Sequence, residues 1–191
     1  QRLRRVRATD MTAAWSPDGK SLVFVSTREG GKNLWVCAAA TGDLHRATTL
    51  ALPAFADQPS WSPMADEIAF TSNRSDNGSP DIWLLNLETN QQSQLTTAPG
   101  VDWMPAFSPN GKQLAFVSDR AGKDALWVMN RDGSDPRKLV DDGWDPAWSP
   151  DGSKIAYRSF VPGREGVAVV SVNGGEPVLI APAASAPTWS P

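Results

Sequence analysis

Hydrophobic and polar residues alternate in short runs that recur along the whole chain. One run of six residues follows a Ser-Pro turn, as in SLVFVS from Ser21, and a second follows a polar loop, as in NLWVCA from Asn33. Short runs rich in β-branched and aromatic residues between turn signals are typical of strands, whereas a helix needs about ten or more residues with a period of 3.6. The pattern therefore predicts an all-β chain.

The phrase that opens each recurrence has a regular spacing. An aromatic residue precedes each Ser-Pro, and its five positions are separated by 46, 46, 41 and 41 residues: Trp15, Trp61, Phe107, Trp148 and Trp189. A period of about 40 to 45 residues with strand-like content indicates one blade of a β-propeller per repeat. The repeats cover approximately 3–40, 43–88, 91–133 and 136–173, with an incomplete one at 176–191. Each is predicted to hold an outer strand followed by the inner, second and third strands.

The chemistry of the repeated phrase is that of a turn. In Ser-Pro-Asp-Gly, proline sets φ, the aspartate accepts hydrogen bonds from backbone N–H groups, and glycine adopts a positive φ without strain. Because Met64 and Ala65 replace this chemistry in the second repeat, we expect a longer or distorted turn there. The aromatic residue before the turn is expected to wedge between blades, with ligand stacking as the alternative. The same reading applies to the mid-strand residues Trp35, Trp83 and Trp127, with Val169 as their counterpart in the fourth repeat.

Composition narrows the possible functions. The chain has 191 residues, of which 40% are apolar, and a formal net charge of −3, which is the range of ordinary globular proteins. Its 18 basic residues are dispersed, apart from a short cluster at Arg2–Arg7, so no nucleic-acid surface is predicted. No apolar run reaches the roughly 18 to 20 residues of a membrane span. The single cysteine, Cys37, excludes an internal disulfide, and nothing predicts a cofactor.

The units WSPDGKSLVFVSTREGGKNLWV and FSPNGKQLAFVSDRAGKDALWVMNRDGSDPRKLV resemble the β-propeller repeats of the TolB family. Similar repeats occur in the propeller domains of prolyl-oligopeptidase-type peptidases and in sensory propellers of bacterial regulators. The resemblance implies antiparallel four-stranded blades around a channel, with Arg28, Arg74 and Arg120 as recurring structural hydrogen-bond donors. The fourth repeat departs from this pattern, because it reads RSFVPGREG from Arg158.

Complete propellers of the family usually have six or more blades. We therefore expect four repeats and the start of a fifth to be part of a larger ring. Two copies that share one ring, and a closed ring of four blades, are the alternatives.

Catalytic chemistry is not predicted. A Ser-His-Asp triad needs a histidine, and the only one, His45, is expected on an outer strand that faces solvent. The chain has no Gly-x-Ser-x-Gly elbow, no Gly-rich phosphate loop and no His or Cys set for zinc. The loop Asn73–Asp81 resembles a short oxygen-ligand loop for calcium, but connecting loops are naturally rich in these residues, and no metal is predicted.

A candidate binding site lies where the repeats disagree, just upstream of the repeated aromatic residue. Trp103 and Trp144 are additional to the repeat, and acids accompany them. An aromatic side chain beside carboxylates at a propeller rim would hold a basic or aromatic peptide, with ordinary packing between blades as the alternative. The predicted partner-binding residues are Trp103, Trp144, Asp102, Asp142, Asp145 and Asp57.

We therefore expect a non-catalytic binding or scaffold propeller with a protein or peptide partner. The resemblance implies a periplasmic or cell-envelope location. Two alternatives stay open: a propeller that gates substrate for a serine peptidase domain, and a ligand-sensing propeller of a regulator. The gene on either side of this segment would distinguish the three.

Overall fold

The computed structural model describes residues 8–75 and 78–189. Sixteen strands and no helix lie in these ranges, so none of the described residues form a helix that could cross a membrane. The strands are β1 (Asp10–Trp15), β2 (Ser21–Ser26), β3 (Asn33–Ala38), β4 (Leu44–Arg46), β5 (Ala56–Trp61), β6 (Glu67–Ser72), β7 (Asp81–Asn86), β8 (Gln92–Gln94), β9 (Asp102–Phe107), β10 (Gln113–Ser118), β11 (Ala125–Asn130), β12 (Arg137–Asp141), β13 (Trp144–Trp148), β14 (Lys154–Ser159), β15 (Gly166–Ser171) and β16 (Val178–Pro182).

The strands form four antiparallel sheets of four strands each, in which neighbours in the chain are neighbours in space. We call them blade 1 (β1–β4), blade 2 (β5–β8), blade 3 (β9–β12) and blade 4 (β13–β16). The predicted all-β propeller of four-stranded blades is confirmed. Each short outer strand pairs with the strand directly before it in the chain, which is the third strand of the preceding sequence repeat. The blades are therefore offset by one strand from the sequence repeats. The outer strand expected at the start of the chain lies outside the described residues.

Among the described residues, three apolar cores lie between successive blades. The side chains of a strand alternate between the two faces of its sheet. Blades 2 and 3 therefore each pack one face on the preceding blade and the other face on the next blade. Val25 of blade 1 packs with Phe70 of blade 2, and Leu126 of blade 3 packs with Tyr157 of blade 4. Between blades 2 and 3, Ile82 packs with Phe116. All six side chains are almost completely buried.

Each inner strand contains a bulge at the same place. A non-glycine residue there has a left-handed φ, and the pairing with the second strand shifts register beside it. Such a backbone is unfavourable for most side chains and persists only where the surrounding structure enforces it. The same conformation recurs after β16, with the spacing of the repeat. The residues and their φ values are Thr12 (39°), Gln58 (52°), Met104 (55°), Asp145 (51°) and Ala186 (54°).

The Ser-Pro turns have one length in all four blades. In blade 4, Asp151 accepts hydrogen bonds from the hydroxyls of Ser149 and Ser153 and from the backbone N–H of Ser153, which lower its pKa to about 2. The turn at Met64–Ala65 is not longer than the others. It is bonded differently, because the Glu67 N–H donates to the Ala65 carbonyl.

Blade 4 differs from the prediction for the residue that corresponds to the mid-strand tryptophans. β15 places Ala168 opposite Tyr157, in the position where β11 places Trp127 opposite Phe116. The assignment of Val169 to this position was wrong by one residue, because the apolar run around it contains no landmark that sets the register.

Candidate functional site

Three aromatic side chains lie in a row from blade 3 to blade 4, at the end of the blades where the inner strands begin. The ring centroids of Trp103 and Trp144 are 5.0 Å apart with a tilt of 49°. The Phe160 ring packs edge-on against Trp144 at 6.2 Å, and the guanidinium of Arg158 lies 4.4 Å from the centre of the Phe160 ring. Both tryptophans are half-buried and Phe160 is exposed. We call Trp103, Trp144 and Phe160 the aromatic row.

The two tryptophans occupy the same position of their strands, directly before the bulge. Blade 1 has Met11 and blade 2 has Asp57 at this position. The position directly before the bulge therefore holds a different type of side chain in blades 1 and 2 from that in blades 3 and 4. In the ranges that the structure describes, two indoles meet only between the adjacent blades 3 and 4.

A cavity of about 370 Å³ lies between the inner strands, around the axis of the propeller. The residue with a left-handed φ in each inner strand lines this cavity, and so does Ala186 after β16. A proline follows each of these residues except Thr12, and these four prolines also line the cavity. Asp145 is the only charged residue among those that line it, and its carboxylate has no hydrogen-bond or ion-pair partner within 8–75 and 78–189. The lining residues are Thr12, Gln58, Pro59, Met104, Pro105, Asp145, Pro146, Ala186 and Pro187.

Hydrogen bonds between blades hold the wall of this cavity. The Thr12 hydroxyl donates to Asp57 Oδ1 at 3.2 Å, and the Met104 N–H donates to Gln58 Oε1 at 3.1 Å. Lys32 Nζ lies 2.6 Å from Asp57 Oδ2. Asp57 is therefore paired with a cation inside the wall, and we leave it out of the site proposed below.

Asp102 is fully buried, and its Oδ2 lies 2.6 Å from the guanidinium of Arg120. Arg120 also donates to the Ser118 hydroxyl at 2.8 Å. Blade 1 repeats the arrangement with Arg28 and Asp10 at 3.0 Å, although this acid is half-exposed. The Asp102 carboxylate thus lies in a packed ion pair and not on the rim, so we leave it out of the proposed site as well.

Asp142 lies beside the aromatic row. Its Oδ2 accepts a hydrogen bond of 2.7 Å from the Phe160 N–H, which anchors the loop that carries this ring. Burial and the nearby Asp142 charge raise the pKa of Tyr157 to about 12. Burial, together with the charges of Asp119 and Asp142, also raises the pKa of Asp124. Asp142 therefore places a negative charge beside the row, next to the Arg158 guanidinium on Phe160.

The other residues singled out from the repeat have varied environments. Arg74 stacks on the Trp83 ring at 3.6 Å and bonds to Gln92, because Ala56 stands where blades 1 and 3 have an acid.

The indole N–H of Trp148 donates to the Ala106 carbonyl at 2.9 Å, and that of Trp189 donates to the Ala147 carbonyl at 3.0 Å. Trp61 packs on the core between blades 1 and 2, Phe107 is buried, Trp15 is 58% exposed, and His45 is exposed on β4.

The sequence predicted Asp145 as part of the site, but it did not predict Phe160, Arg158 or the other residues with a left-handed φ beside the channel, which are Thr12, Gln58, Met104 and Ala186. The bulge residues share no residue type, so only the proline after four of them gave a signal. No group of three potential metal ligands occurs in the described ranges, and Asp76 and Asn77 of the possible calcium loop lie outside them.

No family model matches the chain. Among curated proteins, the Tol-Pal system protein TolB of Francisella tularensis subsp. mediasiatica is 30% identical over 94 residues, which is 48% of this chain and 21% of that protein. TolB of subsp. holarctica matches to the same extent. The match therefore spans about a fifth of the length of these curated relatives.

Solved structures of TolB share the fold. The crystal structure of TolB from Acinetobacter baumannii is 27% identical with a TM-score of 0.78, over 92% of this chain and 44% of that one. A putative TolB from Agrobacterium tumefaciens is 22% identical with a TM-score of 0.76, over 87% of this chain and 63% of that one, and shows the fold alone.

Proposed function

We propose that this chain, a TolB-like β-propeller, is a non-catalytic binding module that holds a protein partner at its channel mouth. The partner-binding residues are the aromatic row together with Asp142 and Asp145. The TolB relatives are described as proteins of the Tol-Pal system, and we extend this to the chain as a role in a cell-envelope complex in the periplasm. The likeness to A. baumannii TolB over nearly the whole chain supports the extension.

The observation that carries the proposal is the contact between Trp103 and Trp144 at 5.0 Å beside the channel. Aromatic side chains are the commonest anchors of protein interfaces, because they bury a large area with few rotatable bonds. Packing between blades does not require an indole at this position, since Met11 and Asp57 occupy it in blades 1 and 2.

The charge of the site indicates the chemistry of the partner. Asp145 lines the channel and has no ion-pair partner among residues 8–75 and 78–189, and Asp142 lies beside the row. A partner segment with basic and aromatic side chains would complement both features, because opposite charges steer association and aromatic rings supply the buried area.

A photo-crosslinking side chain at position 160 would identify the partner in cells of the native host, and its affinity can then be measured for purified variants. We expect Trp144→Ala to weaken binding by about thirtyfold, the loss typical of an interface anchor.

Trp15→Ala is the matched control, because it removes an equally large and more exposed indole far from the channel mouth. Thermal unfolding would establish that both variants are folded. Equal affinity of Trp144→Ala and the unchanged protein would remove this site.

A further inference from the structure

The Ser-Pro turns lie at the end of the propeller opposite to the aromatic row, because they follow the last residue of each inner strand. In blades 1, 3 and 4, the third residue of the turn accepts a hydrogen bond from the hydroxyl of the serine that opens it. These acceptors are Asp18, Asn110 and Asp151. Blade 2 has Met64 instead, and this side chain is 72% exposed. Blade 2 thus gives up a stabilising hydrogen bond of the turn and presents an apolar side chain to solvent.

Two grooves of about 470 Å³ each flank Met64. The first lies between the turns of blades 1 and 2, and Trp61 and Pro63 form an apolar part of its wall. The second lies between the turns of blades 2 and 3, where a Cβ on Gly111 would lie 2.8 Å from Met64 Cγ. Because Met64 and Ala65 line both grooves, they form the ridge between them. We call this ridge and its two grooves the turn surface.

The first groove carries an excess of negative charge. Asp66 and Glu88 line it, and both are exposed. Neither carboxylate has an ion-pair or hydrogen-bond partner within 8–75 and 78–189. A third acid of this groove, Asp18, lies 3.4 Å from Lys20, so the charge of that pair is balanced. Two carboxylates thus remain without a cation beside the apolar ridge.

The charges of the second groove balance each other. The Arg131 guanidinium donates a hydrogen bond of 2.8 Å to Glu67, and Lys112 and Asp132 line the same groove. A segment that crosses the ridge therefore meets unbalanced charge on the side of the first groove only.

We propose that the turn surface binds a polypeptide segment in which a basic side chain neighbours an apolar one. The basic side chain pairs with Asp66 or Glu88 in the first groove, and the apolar side chain lies on Met64. Methionine adapts its shape to different apolar groups and is enriched at protein interfaces, and opposite charges steer association. This surface lies at the other end of the propeller from the channel mouth, so the inference goes beyond the proposed function.

A random peptide library displayed on phage tests the proposal without knowledge of the natural partner. Peptides of about twelve residues reach about 40 Å when extended, which is enough to cross the ridge. The unchanged protein is the target, and peptides that also bind the double variant Met64→Asp, Ala65→Gly are removed. This variant has the Ser-Pro-Asp-Gly turn of blades 1 and 4, so it loses the apolar ridge, and thermal unfolding would establish that it is folded.

We expect the remaining peptides to carry a lysine or arginine beside an apolar residue, and to bind with a Kd on the order of 10 μM in fluorescence anisotropy. If no peptide remains, or if the remaining peptides are rich in acidic residues, the proposal is wrong.

Glu88→Lys is expected to weaken binding of the selected peptides by about tenfold or more, because it places a like charge in the first groove. Glu176→Lys is the matched control, since it makes the same change at an exposed acid in the corresponding hairpin of blade 4. Equal affinities of these two variants would show that the groove does not recognise the basic side chain, and would overturn the proposal.

Trp144→Ala is expected to bind the selected peptides normally while it loses the partner at the channel mouth. Failure of the aromatic row and failure of the turn surface therefore give different results. If Trp144→Ala weakens the peptides as strongly as Glu88→Lys does, the peptides bind at the channel mouth and the turn surface is not their site.

Discussion

Blades 3 and 4 have the same strand order but differ at three linked positions. Blade 3 has Asp102 at the start of its inner strand, Arg120 after its second strand and Trp127 in its third. The corresponding residues of blade 4 are Gly143, Val161 and Ala168. The three positions therefore act as one unit. If the arginine were lost alone, the buried carboxylate would be an uncompensated charge. If the carboxylate were lost alone, the arginine would lose its ion-pair partner.

Blade 2 shows the intermediate case, in which only the acid is lost. With Ala56 in its place, the guanidinium of Arg74 turns onto Trp83 and Gln92. The hydroxyl of Ser72, whose counterparts in blades 1 and 3 accept from arginine, is left buried without a hydrogen-bond partner in the described part of the chain.

The largest expected effect comes from breaking the unit in blade 3. Arg120→Ala leaves the carboxylate of Asp102 buried and unpaired, and we expect the free energy of unfolding to fall by about 3–5 kcal/mol. The equivalent Arg28→Ala in blade 1 is expected to cost about 1 kcal/mol or less, because the acid there is 53% exposed and solvent screens it. Urea unfolding of the two variants measures the difference.

Asp102→Ala with Arg120→Ala is the control for this prediction. The double variant is expected to lose less stability than the sum of the two single variants, with a coupling of about 1–3 kcal/mol. Additive losses would mean that the two side chains do not act as a unit.

A smaller effect is expected from enlarging Gly143 in blade 4. A Cβ at this position would lie 2.8 Å from Leu126 Cβ and 3.1 Å from Tyr157 Cδ2. Gly143→Ala should therefore destabilise the protein by about 1–3 kcal/mol through overpacking, measured by thermal or urea unfolding. An unchanged stability would show that blade 4 has room for a side chain there, and that packing does not explain the loss of the acid.

The smallest effect concerns the hydroxyl by which Tyr157 differs from Phe116. The folded protein holds this proton until about pH 12, whereas an unfolded tyrosine releases it near pH 10. The folded state binds more protons in this window, so stability falls as the pH rises from about 10 toward 12, by about 1 kcal/mol at about pH 11. Tyr157→Phe should remove this part of the pH dependence.

Tyrosinate absorbance provides a direct check, because the chain contains one tyrosine. The native protein should titrate well above pH 10, and the unfolded protein near pH 10. A native titration near pH 10 would contradict the assigned burial.

Much of the candidate site could be predicted from the disagreement among repeats, which singled out Trp103 and Trp144. The role of Asp102 could not, because two neighbours in a strand look alike in sequence although they point to opposite faces. Asp102 meets Arg120 within the packed sheet, while Trp103 meets Trp144 across the blade boundary. Phe160 was missed because it lies in a loop that follows no repeat pattern.

The sequence by itself determined the period, the strands and the Ser-Pro turns. Strand runs, prolines and turn residues act over a few neighbouring positions, and four copies make their pattern unmistakable. Only the tertiary structure decided which acids are paired, where the bulges lie, and which residues of blade 4 replace the aspartate, arginine and tryptophan of blade 3. These features depend on contacts between residues some twenty to forty positions apart, such as Arg120 with Asp102 or Trp144 with Trp103, and no local pattern encodes them.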